Sequence, residues 1–137
     1  MSQPAETAAP RPATPFELAG GEPAIARLVE AFYDAMEREP AFARLRGIHA
    51  ADLTPMRARL ADYLTQWTGG PRRYAERHPE RSCVVSAHAP FPIDRRMAGD
   101  WMACMRQAFA SADVSQDFRR IVEPVMAQMC EGLRNAE

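Results

Sequence analysis

The stretch Ser86-Ala87-His88-Ala89-Pro90-Phe91-Pro92-Ile93 places a histidine at the end of a predicted helical segment, directly before two prolines and an apolar pair. Pro90 and Pro92 cannot extend a helix and bias the residues before them toward extended geometry, so the chain turns there. A histidine in a last helical turn has its direction fixed by the turn that follows. That suits a metal or haem ligand, which is a neutral imidazole held at one angle. A lone histidine beside prolines is also a common loop residue, and the motif alone leaves both readings open. Other polar-tipped groups lie on or beside predicted apolar faces: Tyr33, His49, Tyr63 and Trp101. Buried hydroxyl and N–H groups need partners, and a ligand in a central cavity would supply some of them. The same methionine and aromatic stripes serve equally well as ordinary core.

These groups must be positioned by helices. The spacing predicts one from about Glu22 to Glu39, after the Gly20-Gly21 break, with Pro23 in its first turn. Ile25, Leu28, Val29, Phe32 and Met36 form its apolar stripe, with Tyr33 alongside. A short irregular or single-turn segment follows from Pro40 to His49. Asp52 is the expected N-cap of the next helix, whose face carries Leu53, Met56, Leu60, Tyr63, Leu64 and Trp67. Gly69-Gly70-Pro71 ends it sharply. From Arg72 to Val85 a long loop is expected, with at most one short helix reaching His88. Asp94 caps a helix to about Ala112 with the stripe Met97, Trp101, Cys104, Met105 and Ala108. Ser115 opens the last one, to about Asn135, carrying Phe118, Ile121, Val122, Val125, Met129 and Leu133, with Pro124 expected to kink or divide it. No window alternates as a strand would, so the fold class is all-α, with four principal helices in two pairs.

A chain of 137 residues fits one domain, and 47% hydrophobic with 26% charged residues is an ordinary globular composition. Residues 1–14, rich in Pro, Ala and Thr, read as a disordered tail before a domain over 15–137, with Phe16 and Leu18 able to dock as a short turn. A net charge of -1 gives no reason to expect nucleic acid or an acidic membrane as partner. All seventeen basic residues are arginine, which excludes Schiff-base lysine chemistry and leaves arginine as the permanent cation for an anionic group. Cys83, Cys104 and Cys130 lack C-x-x-C spacing, which argues against a disulfide framework or structural zinc and for a reducing, cytoplasmic setting. Cys104 and Cys130 are expected to be inert core residues, with Cys83 in the loop. No stretch approaches a membrane span and no signal-peptide pattern opens the chain.

Several motifs together resemble the group II truncated haemoglobins, the O-type two-over-two globins. Phe32-Tyr33 is similar to the family's Phe-Tyr pair, and His49-Ala50-Ala51-Asp52-Leu53 to the segment entering its distal helix. Gly69-Gly70-Pro71 with Tyr74 resembles the GGP-x-x-Y turn. His88-Ala89-Pro90-Phe91-Pro92-Ile93 resembles the proximal histidine motif, and Trp101-Met102-Ala103-Cys104-Met105 the W-x-x-C-M run. The resemblance runs from about Phe16 to Leu133, and its specificity lies in the order and spacing of the motifs.

The resemblance implies a truncated-globin two-over-two helical sandwich around a haem pocket, with haem b as cofactor and His88 as proximal iron ligand. Its distal groups would be Tyr33, His49, Met56, Leu60 and Trp101, with Phe32, Tyr63, Phe91 and Ile93 packing the cofactor. It also implies O2, CO, NO or similar small molecules as ligands, held by Trp, Tyr and His donors. Two positions depart from the family pattern. Met56 stands where relatives usually carry a small or hydroxylated residue; it cannot donate, it crowds the shortest ligand route, and its thioether is itself a conceivable iron ligand. Ala87 stands where a basic residue usually holds a haem propionate, so Arg59 is the expected substitute anchor, with Tyr74 as a second.

Alongside ligand binding stands an enzymatic reading: peroxidase-like turnover, or conversion of O2 and nitric oxide to nitrate, fed by an unidentified electron donor. Peroxidase chemistry wants a distal base, and His49 is the only obvious candidate. A third reading is a haem-free helical interaction module, which leaves His88 and Trp101 as coincidence. No heptad seam fixes the oligomeric state, so monomer and homodimer both stand.

Overall fold

A computed structural model describes residues 11–79 and 88–136. Seven α-helices and one 3-10 turn are found among them, and no strand. They are α1 (Pro15–Ala19), α2 (Glu22–Arg38), α3 (Ala43–Gly47, preceded by the 3-10 turn Pro40–Phe42), α4 (Thr54–Trp67), α5 (Arg73–Arg77), α6 (Arg95–Ser111) and α7 (Gln116–Gly132). The all-α expectation holds, and so does the pairing. α2 packs on α4, α6 packs on α7, and α2 crosses α6 to join the pairs, with α3 wedged against α2 and α6. Among the described residues no helix is long and apolar enough to cross a membrane.

The core is the α2 stripe met by α6. Ile25, Leu28, Val29, Phe32 and Met36 are buried, as are Cys104, Met105, Ala108 and Phe109 opposite them. Each of the large aliphatic and aromatic side chains among them contributes about 1.5–3 kcal/mol of transfer free energy. Capping sets the ends: Asp94 accepts the Met97 N–H at 2.8 Å and Ser115 accepts the Phe118 N–H at 3.2 Å. Asp94 also pairs with Arg44 at 3.0 Å, which ties the start of α6 to α3. Phe16 does dock: its N–H donates to Thr68 O at 2.8 Å, and its ring lies where a Cβ on Gly70 would meet it at 2.8 Å. Gly69 has φ +103°, so this turn needs both glycines, one for conformation and one for space.

Three expectations are corrected. α4 begins at Thr54 with Leu53 at the cap position, and Asp52 reaches the same first turn from outside by accepting the Thr54 N–H at 3.0 Å. The short helix allowed for within the Arg72–Val85 stretch is α5, directly after the Gly-Gly-Pro turn. α7 runs unbroken through Pro124, so the proline does not divide it. Ile121 and Val125 are 46% and 43% exposed, because the inward face of α7 is Phe118, Val122, Met126 and Cys130. Of the expected tail, residues 1–10 lie outside the described residues; Arg11 pairs with Glu17 and Thr14 caps α1. Ala87 and Cys83 also fall outside them.

Candidate functional site

The α4 face is the telling departure from simple packing. Leu53 and Leu64 are buried, yet Met56, Leu60, Tyr63 and Trp67 remain half-buried because they face a cavity of about 600 Å³. Large apolar side chains rarely leave so much space unfilled in a close-packed interior, and the size falls within the range of cofactor sites. α2 and the α3–α4 connection supply Tyr33 and His49; α4 supplies Met56, Arg59, Leu60 and Tyr63; α5 supplies Tyr74. The turn after His88 supplies that imidazole with Phe91 and Ile93, and α6 supplies Trp101. Met129 of α7 and Leu133 just after its end complete the wall. Every site residue expected from sequence lines this cavity except Phe32. Phe32 is fully buried behind the wall, its ring 5.0 Å from that of Tyr33 and 5.1 Å from that of Trp101, so it backs two of the lining side chains.

Burial raises the Tyr33 phenol well above its ordinary range, so it stays a neutral hydroxyl able to donate or accept. Burial likewise lowers the His49 imidazole, with Arg46 and His88 lowering it further and the Leu45 carbonyl opposing them. His49 is therefore neutral near pH 7. Its Nδ1 lies 2.9 Å from Leu45 O, a carbonyl that can only accept, so the proton is assigned to Nδ1. Nε2 is left as an acceptor. His49 thus differs from the donor expected from sequence: in this tautomer it donates from Nε2 only when protonated.

Two polar clips hold the walls, and neither has a periodic signature in the sequence. Asn135, beyond the end of α7, donates from Nδ2 to Phe91 O at 2.9 Å and accepts the Ile93 N–H at 2.8 Å. Its own backbone N–H donates to Ile93 O at 2.9 Å, so the turn after His88 is fastened at successive points. On the other side Asp62, buried on α4, accepts from Arg77 at 3.0 Å and lies 3.1 Å from His78 Nε2. With Gln66 Oε1 accepting the Ala75 N–H at 2.8 Å, this seats α5 on α4 and sets the Tyr74 ring 5.2 Å from Tyr63.

The donor set fits an iron porphyrin. It combines one imidazole beside a fixed turn, an apolar and aromatic lining, and Arg59 at the wall, whose one hydrogen bond among the described residues goes to the Met56 thioether. A guanidinium held on so weak an acceptor has donors to spare for a carboxylate-bearing cofactor.

Comparison with known proteins agrees with this geometry. The profile of the bacterial-like globin family matches residues 14–135. The group 2 truncated hemoglobin YjbI of Bacillus subtilis (strain 168) is 32% identical over 108 residues, covering 79% of this chain and 78% of that protein. Among solved structures, the group II truncated hemoglobin of Bacillus anthracis superposes with TM-score 0.84 at 33% identity, covering 93% of this chain and 95% of that one. The group II 2-on-2 hemoglobin of Agrobacterium tumefaciens gives TM-score 0.87 at 30% identity, covering 95% and 100%. Fold, cavity and sequence thus converge: the chain belongs to the bacterial-like globins, as a group II truncated haemoglobin with the two-on-two helical fold, a family that binds haem and small gaseous ligands.

Proposed function

We propose that this chain holds haem b through His88 and takes up O2 and similar diatomic molecules, such as CO and NO, on the side of Tyr33 and Trp101. The observation that carries this reading is the single cavity lining that joins the imidazole before the 89–91 turn to the Trp101 indole and the Tyr33 hydroxyl. The bound haem supplies an iron able to take a diatomic ligand. The chain's residues do the rest. Asn135 fixes the turn that aims His88. The Trp101 indole, donor only, and the neutral Tyr33 hydroxyl hold a polarised ligand by hydrogen bonds. Leu60, Ile93, Phe91 and Tyr63 exclude water and pack the cofactor, and Arg59 with Tyr74 takes its carboxylates. Met56 borders the ligand side, and its thioether accepts from Arg59.

His88→Gly tests the assignment directly. Protein purified from haem-replete cells is expected to lose its Soret band or its ordinary five-coordinate ferrous spectrum, and added imidazole is expected to restore it. A variant with unchanged ferric, ferrous and CO-bound spectra refutes His88 as the ligand.

One observation favours a second activity. Because Nδ1 of His49 is spent on Leu45 O, Nε2 of this cavity-lining imidazole is left as a neutral acceptor, the state a distal base needs to move a proton from hydrogen peroxide. Peroxide titration of the ferric protein with a reducing dye measures it, and His49→Gln is expected to slow dye oxidation at least about tenfold.

A further inference from the structure

Met56 and Arg59 lie one helical turn apart at the start of α4, and both line the cavity. Arg59 Nη2 donates to Met56 Sδ at 2.9 Å. Thioether sulfur is a poor acceptor, so a fork of cationic donors here faces a group that scarcely uses it. One oxygen on that sulfur would change the match, because a sulfoxide oxygen accepts strongly and a guanidinium bond to it is charge-assisted. Met36, Met97, Met102, Met105 and Met126 are buried. Among the described methionines only Met56 and Met129 keep partial exposure, and only Met56 has a guanidinium bonded to its sulfur.

We propose that Met56 is an oxidation site: hydrogen peroxide reaching the cavity converts it to methionine sulfoxide, which Arg59 then holds. A sulfur lone pair attacks the near oxygen of the peroxide, the O–O bond breaks, and the S–O bond forms. The far oxygen leaves as hydroxide and takes the proton from the transferred oxygen, so one thioether and one peroxide give one sulfoxide and one water. Sulfur loses two electrons and the peroxide gains them. Arg59 steadies the departing oxygen and the retained one without giving up a proton. The product puts a polar group where a long apolar side chain bordered the cavity, and sulfoxide reductases can reverse it. The inference stands on the Met56–Arg59 contact, for which Arg59 uses Nη2 and keeps its other N–H donors for a cofactor carboxylate.

The test is peptide mass spectrometry on the full-length purified protein during exposure to hydrogen peroxide, with and without cyanide to block any iron. Met56 is expected to gain one oxygen at least about fivefold faster than Met129, with or without cyanide. Arg59→Leu is expected to cut that ratio about threefold, and Arg59→Lys to recover part of it. Equal rates at Met56 and Met129, a ratio indifferent to Arg59→Leu, or a ratio abolished by cyanide would each overturn the proposal. A buried methionine such as Met126 oxidising as fast as Met56 would do the same, since it signals general opening. Absence of pigment leaves the ratio readable, so failure of the haem assignment is told apart from failure of this one.

Discussion

On the function proposed above, Trp101 is the residue on which ligand retention turns. Its indole nitrogen donates and cannot accept, its ring is braced by Phe32 at 5.1 Å, and it lines the cavity from α6. A hydrogen bond to a charged or strongly polarised acceptor is worth about 1.5–3 kcal/mol, which is roughly a ten- to hundredfold change in release. Trp101→Phe keeps the ring and the packing and removes only the donor. O2 dissociation, followed by stopped flow against CO or dithionite, is expected to speed up at least about tenfold. An unchanged off-rate would mean that Tyr33 carries the load. The cysteines give a contrasting case. Burial pushes both the Cys104 and Cys130 thiols up to about 12, and the Cys104 Sγ donates to Phe32 O at 3.3 Å. At pH 8 both are neutral thiols, and the thiolate is the reactive form. In a Cys83→Ser background, thiol reagents are expected to react with neither residue until the protein is unfolded; one equivalent reacting within the mixing time would show that burial to be wrong.

At the scale of elements, what was legible in sequence is what repeats or turns. The α2 stripe, the Gly69-Gly70-Pro71 stop and the Asp94 and Ser115 caps all have local signatures, and the structure places them as expected. Two overlapping apolar series run along α7. Ile121 with Val125 and Phe118 with Val122 both satisfy helical spacing, and the positions of α6 and α1 decide which turns inward. The clips were invisible for a different reason. Asn135 with Phe91 and Ile93, Asp62 with Arg77 and His78, and Arg57 reaching Asp34 at 3.2 Å are polar pairs between elements distant in sequence or across a turn, with no period to betray them. The Asn135 clip is the more consequential, since it fastens the turn that follows His88. Asn135→Ala removes two side-chain hydrogen bonds and is expected to cost about 1–3 kcal/mol in urea unfolding. It is also expected to speed haem transfer to an acceptor globin several-fold. Loss of stability without faster transfer would confine Asn135 to a merely structural role.

For the molecule as a whole, the consequence is an uneven distribution of stability. α2 and α6 bury their stripes against each other whether or not the cavity is filled, whereas the inward face of α4 borders about 600 Å³ of space. Side chains bordering a void forgo contacts on one side, so α4, with α5 seated on it, depends on an occupant in a way the α2–α6 crossing does not. A cofactor that binds only the folded chain stabilises it by mass action, about 4 kcal/mol when its concentration is a thousand times the dissociation constant. For a domain of this size that corresponds to roughly 10–20 °C in Tm. Stripping haem by acid extraction is therefore expected to lower Tm by about that amount. Amide exchange is expected to quicken first over Thr54–Arg77 while Glu22–Arg38 and Arg95–Ser111 keep their protection. Equal Tm before and after extraction, or protection lost evenly along all the helices, would mean that the cavity is not what the fold leaves to be completed by its ligand.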